Sequence, residues 1–467
     1  MLFHEARYLW LLLVTFVAYW CVARTRRARN TLLLAASVVF YANWNPWLVL
    51  LVASTAIYDY RLARAIEAAP TARARRTRLV AAIAVPLGLL AYFKYTNFLV
   101  AQAWPLLRVL GMREPPVFAI VLPLGISFYT FETIAYVIDV YRRRIPAERR
   151  VGDYALYLLF FPHLIAGPIV RPGQFLPQIR RDRALDWSRV EAGVRVFVFG
   201  MLKKAVVADQ LALVVDPIFA HPDAYATGTV WIAVVCYAVQ IYCDFSGYSD
   251  MAIGSARLLG ITLPTNFDMP YFAANPAEFW RRWHITLSTW LRDYLYIPLG
   301  GNRHGTLATY RNLFVTMLLG GLWHGAAWTF VVWGGYHGAL LVVHRAIPWP
   351  AWTGRRALRP VRVVLTFGLV CVGWVFFRAP SLGGAGTMLA QMFVPTPGLT
   401  LAPAVTALVA VILGTVLVAH LVGTFADVPW LVRALPAPVV GTAVACGFLL
   451  AGLLAPDTGG AFIYYQF

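Results

Sequence analysis

Residues 8 to 23 read YLWLLLVTFVAYWCVA, an uncharged apolar run that ends abruptly at Arg24, Arg26, Arg27 and Arg29. Apolar stretches closed by knots of arginine recur along the chain, and this pattern constrains the fold more than any other feature. A backbone crossing hydrocarbon must satisfy its own hydrogen bonds, so long apolar runs of this kind cross as helices. An all-α polytopic membrane protein is therefore expected. The composition agrees, with 60% hydrophobic and 13% charged residues in 467. The 40 Lys and Arg against 21 Asp and Glu lie in short clusters between spans. They read as topology signals and as attraction to anionic headgroups, not as a nucleic-acid surface. The five cysteines, Cys21, Cys236, Cys243, Cys371 and Cys446, form no CxxC pair, so neither a disulfide framework nor a zinc site is expected. The first run lacks a small-residue cleavage site and should remain as an anchor with its N-terminus outside.

From that orientation the arginines set the crossings, because cytoplasmic loops collect Lys and Arg. Segments 31–43 and 46–60, parted by Asn43-Trp44-Asn45-Pro46, go out and return to the basic stretch Arg61 to Arg78. Segments 79–100 and 117–140 make a second excursion, ending at Arg142, Arg143, Arg144, Arg149 and Arg150. The run YALYLLFFPHLIAGPIV is broken by Pro162, Gly167 and Pro168 and reads as re-entrant or interfacial. Segments 190–218 and 229–243 cross around FAHPDAYATG, which holds no Lys or Arg. Residues 276–299 are too polar to span lipid and suggest a buried re-entrant or amphipathic helix. Segments 311–330, 331–347, 361–378, 404–424 and 437–455 bring the total to about 11–12 crossings. The uncharged loop 381–403 and the C-terminus then lie outside. With no internal repeat, one membrane domain over 1–467 is expected, with its catalytic core in 240–345 and an extracytoplasmic aromatic tail at 461–467.

Polar residues concentrate in the apolar sequence between 240 and 340. Ionisable groups at membrane depth are costly and tend to face a cavity or a partner. His324 stands among glycines in the middle of the expected span 311–330, and His284 lies in the re-entrant stretch. A lone histidine on an apolar face is more often structural, but the flanking glycines and the second histidine favour function for His324. For His284 the local sequence supports function and interfacial hydrogen bonding equally. Imidazole, with an ordinary pKa of about 6.5, suits general-base work on a hydroxyl. A metal reading of His304, His324, His337 and His344 lacks an HxxxH pair or a carboxylate at ligand spacing, and no metal is expected. Asp244, Ser246, Tyr248 and Asp250, with Trp323, are candidates to line a substrate tunnel; a structural hydrogen-bond network fits the first four as well.

The strings WRRWHITLSTWLRDYLYIPLGG and LLGGLWHGAAWTFVVWGGYHG resemble the core of the membrane-bound O-acyltransferase superfamily. FYANWNP, YFKYTNF, LPLGISFYTFETIAYVIDVYR, FFPHLIAGPIVRPGQFLPQ, YCDFSGYSDMAIG and GWVFFRA are similar to its bacterial alginate O-acetyltransferase branch, in order along nearly the whole chain. The resemblance implies helices around a central tunnel, with His324 at the catalytic position and His284 at the second position, which is asparagine in many eukaryotic members. It implies no bound cofactor but a cytosolic acyl thioester as donor, acetyl-CoA or another. It also implies a polysaccharide acceptor, a separate extracytoplasmic acetyltransferase partner and a place in the bacterial cytoplasmic (inner) membrane. Arg281, Arg282, Lys203 and Lys204 would face the cytoplasm, where they could meet donor phosphates or simply obey the positive-inside rule. Two other readings fit: a D-alanyl-transfer protein of teichoic acid modification, and a polysaccharide transporter or export subunit.

The chain ends in AFIYYQF. Phe462, Tyr464 and Phe467 resemble the Phe-x-Tyr-x-x-Phe ending of a small membrane peptide in teichoic acid D-alanylation. That likeness implies Tyr464 as an acyl acceptor, with Tyr465 as the neighbouring alternative. An aromatic belt at the membrane interface explains the tail equally well.

Overall fold

A computed structural model of the chain describes residues 1–109, 111, 117–165, 167–350, 354–426 and 435–455. Its regular elements there are helices, apart from an isolated bridge between Tyr225 and Leu399. The chain packs as two compact units, one of Met1–Phe197 with Ser249–Pro264, the other of Val198–Tyr248 with Thr265–Phe467.

The first unit contains α1 (Ala6–Val17), α2 (Arg26–Ala42), α3 (Pro46–Glu67), α4 (Ala72–Leu90), α5 (Thr96–Val109), α6 (Ile126–Tyr141), α7 (Val151–Leu159) and α8 (Pro172–Ile179). Three of these begin where the sequence supplies a cap. Thr25 and Thr71 accept from the N–H groups of Ala28 and Ala74, and Asn45 accepts from Trp47 and Leu48 ahead of a first-turn Pro46. A π-helical turn, Ala91–Tyr95, joins α4 to α5. The expected span 117–140 is helical only from Ile126, because the backbone turns at Gly125 with φ +69°, where a Cβ would lie 2.4 Å from the Leu164 carbonyl oxygen. The break foreseen at Pro162–Pro168 is real and buried. Glu132 holds it by accepting from the Val170 N–H at 3.0 Å and lying 3.5 Å from His163 Nε2.

Helix α9 (Trp187–Leu202) runs from the first unit into the second, where a π-helical stretch, Lys203–Ala208, joins it to α10 (Asp209–Ala220). These form the span expected at 190–218. Helix α11 (Thr227–Leu258) is 32 residues long, or about 48 Å, and continues well past the expected end at 243. Its polar cluster therefore lies within the helix instead of marking its boundary. The physical reason is pairing: Lys204 Nζ sits 2.8 Å from Asp244 and 2.7 Å from Asp209. The polar stretch 276–299 forms two short helices, α12 (Pro276–Arg282) and α13 (Ile285–Leu291), broken at His284. After α14 (Gly305–His324), α15 (Trp328–Ala346) and α16 (Arg359–Arg378), the expected loop 381–403 contains another helix, α17 (Leu382–Phe393); α18 (Pro403–Phe425) and α19 (Ala437–Leu454) follow.

Among the described residues, five helical runs are long and apolar enough to cross a bilayer: Ala72–Leu106, Thr227–Leu258, Arg356–Arg378, Pro403–Phe425 and Ala437–Leu454. The chain is a multi-pass membrane protein. Other expected spans are short, such as α2 and α6, or more polar, such as α3 with Asp59 and Arg61.

Helices α14 and α15 form an antiparallel hairpin with almost no side chain between the backbones. A Cβ on Gly321 would fall 2.3 Å from the Phe330 carbonyl oxygen, and one on Gly334 would fall 2.5 Å from that of Met317. Close glycine contact of this kind drives helix association in a membrane through van der Waals packing. Gly335, one residue on, meets only side-chain atoms at 3.7 Å. Gly334→Ala should therefore cost at least about 1–3 kcal/mol through overpacking, whereas Gly335→Ala should be tolerated. Thermal unfolding of the two detergent-solubilised variants, followed by tryptophan fluorescence, checks the contrast.

Candidate active site

The hairpin turn follows His324 directly, so this histidine ends α14 instead of standing in mid-span. The turn occurs there because Gly325 faces the Phe330 ring so closely that a Cβ would lie 2.1 Å from it. The His324 imidazole is buried among aromatic rings. Trp323 lies at 4.9 Å, Trp333 at 5.0 Å and Phe377 at 5.4 Å between centroids, all edge to face.

His284 comes to the same place from a different element. It occupies the break between α12 and α13 with φ +42° and ψ +54°, a left-handed conformation uncommon outside glycine and asparagine. The segment after α11 holds the break on both sides. The Asp268 N–H donates to the Arg282 carbonyl and the Ile285 N–H donates to the Asn266 carbonyl, each at 2.9 Å. The His284 ring is fully buried, 4.7 Å from Phe245 and 6.5 Å from Phe267. Its centroid lies 6.5 Å from that of His324 and 6.3 Å from Trp323. Its Nδ1 is 3.1 Å from Asn266 Oδ1. Two imidazoles thus share a water-excluding aromatic box, an arrangement suited to moving a proton where the dielectric is low.

The pattern of the MBOAT, membrane-bound O-acyltransferase family matches residues 151–358, a range that includes both histidines. The chain is 46% identical over 395 residues to a protein named probable alginate O-acetylase AlgI from Azotobacter vinelandii, covering 84% of this chain and 78% of that one. The chain belongs to the membrane-bound O-acyltransferase family. It falls in the alginate O-acetyltransferase-like branch, and it is an O-acyltransferase. A peptidoglycan O-acetyltransferase from Helicobacter pylori is 37% identical over 77% of this chain and 73% of its own length. A teichoic acid D-alanyltransferase from Streptococcus thermophilus is 31% identical over 48% of this chain and 57% of its own. Membership in this enzyme family sets aside the transporter reading.

The remaining candidates divide clearly. Trp323 packs beside both imidazoles, 4.9 Å from His324 and 6.3 Å from His284 between centroids. Lys204, a candidate to meet donor phosphates at the cytoplasmic face, is instead buried and held between Asp209 and Asp244. Tyr248 packs beneath the same ammonium at 5.8 Å, and Ser246 is buried on the same helix. Asp250 belongs to the first unit. Lys203 lies over the Phe199 and Tyr242 rings. Arg282 pairs with Glu278 and Asp268, whereas Arg281 is exposed. Tyr464 and the rest of the tail lie outside the described residues. Sequence reasoning missed Asn266, Phe245, Phe267, Trp333 and Phe377. Asn266 sits in an ordinary-looking loop, LPTNFDMP, eighteen positions before the histidine that it touches, and no local pattern links the two.

Removing one partner of a buried ion pair leaves an uncompensated charge, which typically costs about 3–5 kcal/mol. Lys204→Met in this acyltransferase should lower thermal stability by that order, and adding Asp209→Asn and Asp244→Asn should recover most of the loss. Arg281→Ala should leave the unfolding midpoint unchanged.

Proposed function

We propose that this acyltransferase takes an acetyl group from a cytosolic thioester, acetyl-CoA or another acyl thioester, and delivers it to the outer face of the bacterial cytoplasmic membrane. The acceptor is an exopolysaccharide or a cell-wall glycan. The observation that carries this reading is the pair of buried imidazoles, 6.5 Å apart, in a chain whose relatives are named alginate O-acetylase and peptidoglycan O-acetyltransferase.

The difficult step in such a transfer is to deprotonate an alcohol as it attacks, and to stabilise the resulting oxyanion away from water. His324 serves as general base: it takes the proton from the acceptor hydroxyl while the oxygen adds to the thioester carbonyl. Collapse of the tetrahedral intermediate breaks the C–S bond, and the departing sulfur recovers that proton as a thiol. His284 orients a substrate or polarises the carbonyl. Arg281 meets the donor phosphates from the cytoplasmic side. Both termini lie outside, and Tyr464 of the tail receives the acyl group. An aryl ester is a good onward donor, because phenol, with a pKa near ~10, leaves more readily than an alkoxide. An extracytoplasmic acetyltransferase partner then moves the group to sugar.

The second reading is transfer of D-alanine from a carrier protein, supported by the likeness to the Streptococcus thermophilus enzyme. Offering the purified protein acetyl-CoA and a D-alanyl carrier side by side separates the two, with consumption of acetyl-CoA expected. His324→Ala should reduce acetyl transfer by at least about 100-fold, the lower end of general-base contributions, with insertion and thermal unfolding unchanged. Retained transfer would sink the base assignment. Tyr464→Phe keeps the aromatic surface and removes one hydroxyl. Radiolabelled acetyl groups should attach to the wild-type protein but not to this variant, and glycan acetylation should fall with the label.

A further inference from the structure

The contacts of Asn266 decide which nitrogen of His284 carries the proton. Asn266 Oδ1 lies 3.3 Å from the backbone nitrogen of Thr286, 2.8 Å from Thr286 Oγ1 and 3.1 Å from His284 Nδ1. A backbone N–H can only donate, so the Asn266 atom facing it is the amide oxygen and not the amide nitrogen. An amide oxygen only accepts. The His284 Nδ1 opposite it must therefore hold a hydrogen, and in the neutral ring Nε2 must then hold the lone pair. Asn266, His284 and Thr286 are all buried, so no bulk water competes for these positions.

We propose that Asn266 is a positioning residue that locks His284 as the Nδ1–H tautomer and presents Nε2 as a hydrogen-bond acceptor to the substrates. This rests on the active-site reading above and narrows it. A neutral ring with its lone pair at Nε2 cannot donate to the thioester carbonyl. Of the two tasks given to His284, polarising the carbonyl is closed and orienting a substrate is open. The group it orients is a hydrogen-bond donor, a hydroxyl or an amide N–H. The same asparagine also holds the left-handed break: its main-chain oxygen accepts from Ile285 and its side-chain oxygen from Thr286. Backbone turn and ring tautomer thus depend on one residue. Among the described residues, Phe245, Phe267 and Trp323 also face the ring, together with His324, which is titratable.

The test is the pH dependence of kcat and KM for acetyl transfer from acetyl-CoA by the full-length purified enzyme, in wild type and four variants. Asn266→Asp keeps an acceptor opposite Nδ1 and adds a negative charge. That charge favours imidazolium and raises the imidazole pKa, so the neutral form is lost at a higher pH on acidification. The acid limb of the kcat profile should move up by about 1 unit or more, with activity retained on the alkaline side. Asn266→Leu removes the acceptor and should lower kcat at least about tenfold, the scale seen when an outer partner of a functional histidine is lost, with KM little changed. Thr286→Val removes a bond to Asn266 but not to the ring. It should lower the unfolding midpoint and leave the acid limb in place. An Asn266→Asp profile that coincides with wild type, or a Thr286→Val limb that moves with it, overturns the tautomer lock. His284→Ala separates this from failure of the underlying reading. Full activity in His284→Ala removes His284 from the mechanism altogether, whereas its inactivity together with an unmoved Asn266→Asp limb rejects the lock alone.

Discussion

The clasp between residues 266–268 and residues 282–286 is the interaction on which the candidate site depends. A helix broken inside a membrane protein exposes N–H and C=O groups that hydrocarbon cannot satisfy. Here the Asp268 N–H, the Asn266 carbonyl and the Asn266 amide oxygen meet those groups directly. Without them the chain from Pro276 to Leu291 would gain backbone bonds by continuing as one helix, and His284 would turn with it. The clasp makes the break the satisfied state, and the break aims the imidazole into the aromatic box.

The second histidine arrives by a different device. Glycines at 321, 325 and 334 remove the side chains that would hold α14 and α15 apart, so the chain reverses immediately after His324. The two rings therefore come together from a short broken segment and from a hairpin turn. Neither is mobile about a long loop, and both are surrounded by indole and phenyl rings that exclude water. Proton transfer in such a setting benefits from groups that are already oriented before the substrates arrive.

Much of this was legible in the amino-acid order. Apolar runs and arginine clusters pointed to a helical, multi-pass membrane protein, and the prolines at 162 and 168 marked a break that is present. The helix boundaries were less legible where polarity and helicity disagree. The span expected at 229–243 stops just short of Asp244, yet α11 runs through that residue, whose carboxylate pairs with Lys204 forty residues earlier. His324 reads as a mid-span residue because hydropathy does not register the close approach of Gly325 to Phe330. Lys204 reads as a surface cation because sequence does not show which carboxylates surround it.

The chain's own order determined the class of protein, the residue types available for chemistry and the strings that tie it to its family, since these depend on composition, periodicity and local spacing. Only the tertiary structure decided that His284 and His324 share one box, that Lys204 belongs to an internal ion cluster, and that Asn266 touches His284. Apart from the Lys204–Asp209 pair, these contacts join positions from eighteen to forty residues apart. Their partners are selected by the packing of helices and the need to satisfy every buried polar group, neither of which is written in any single stretch of sequence.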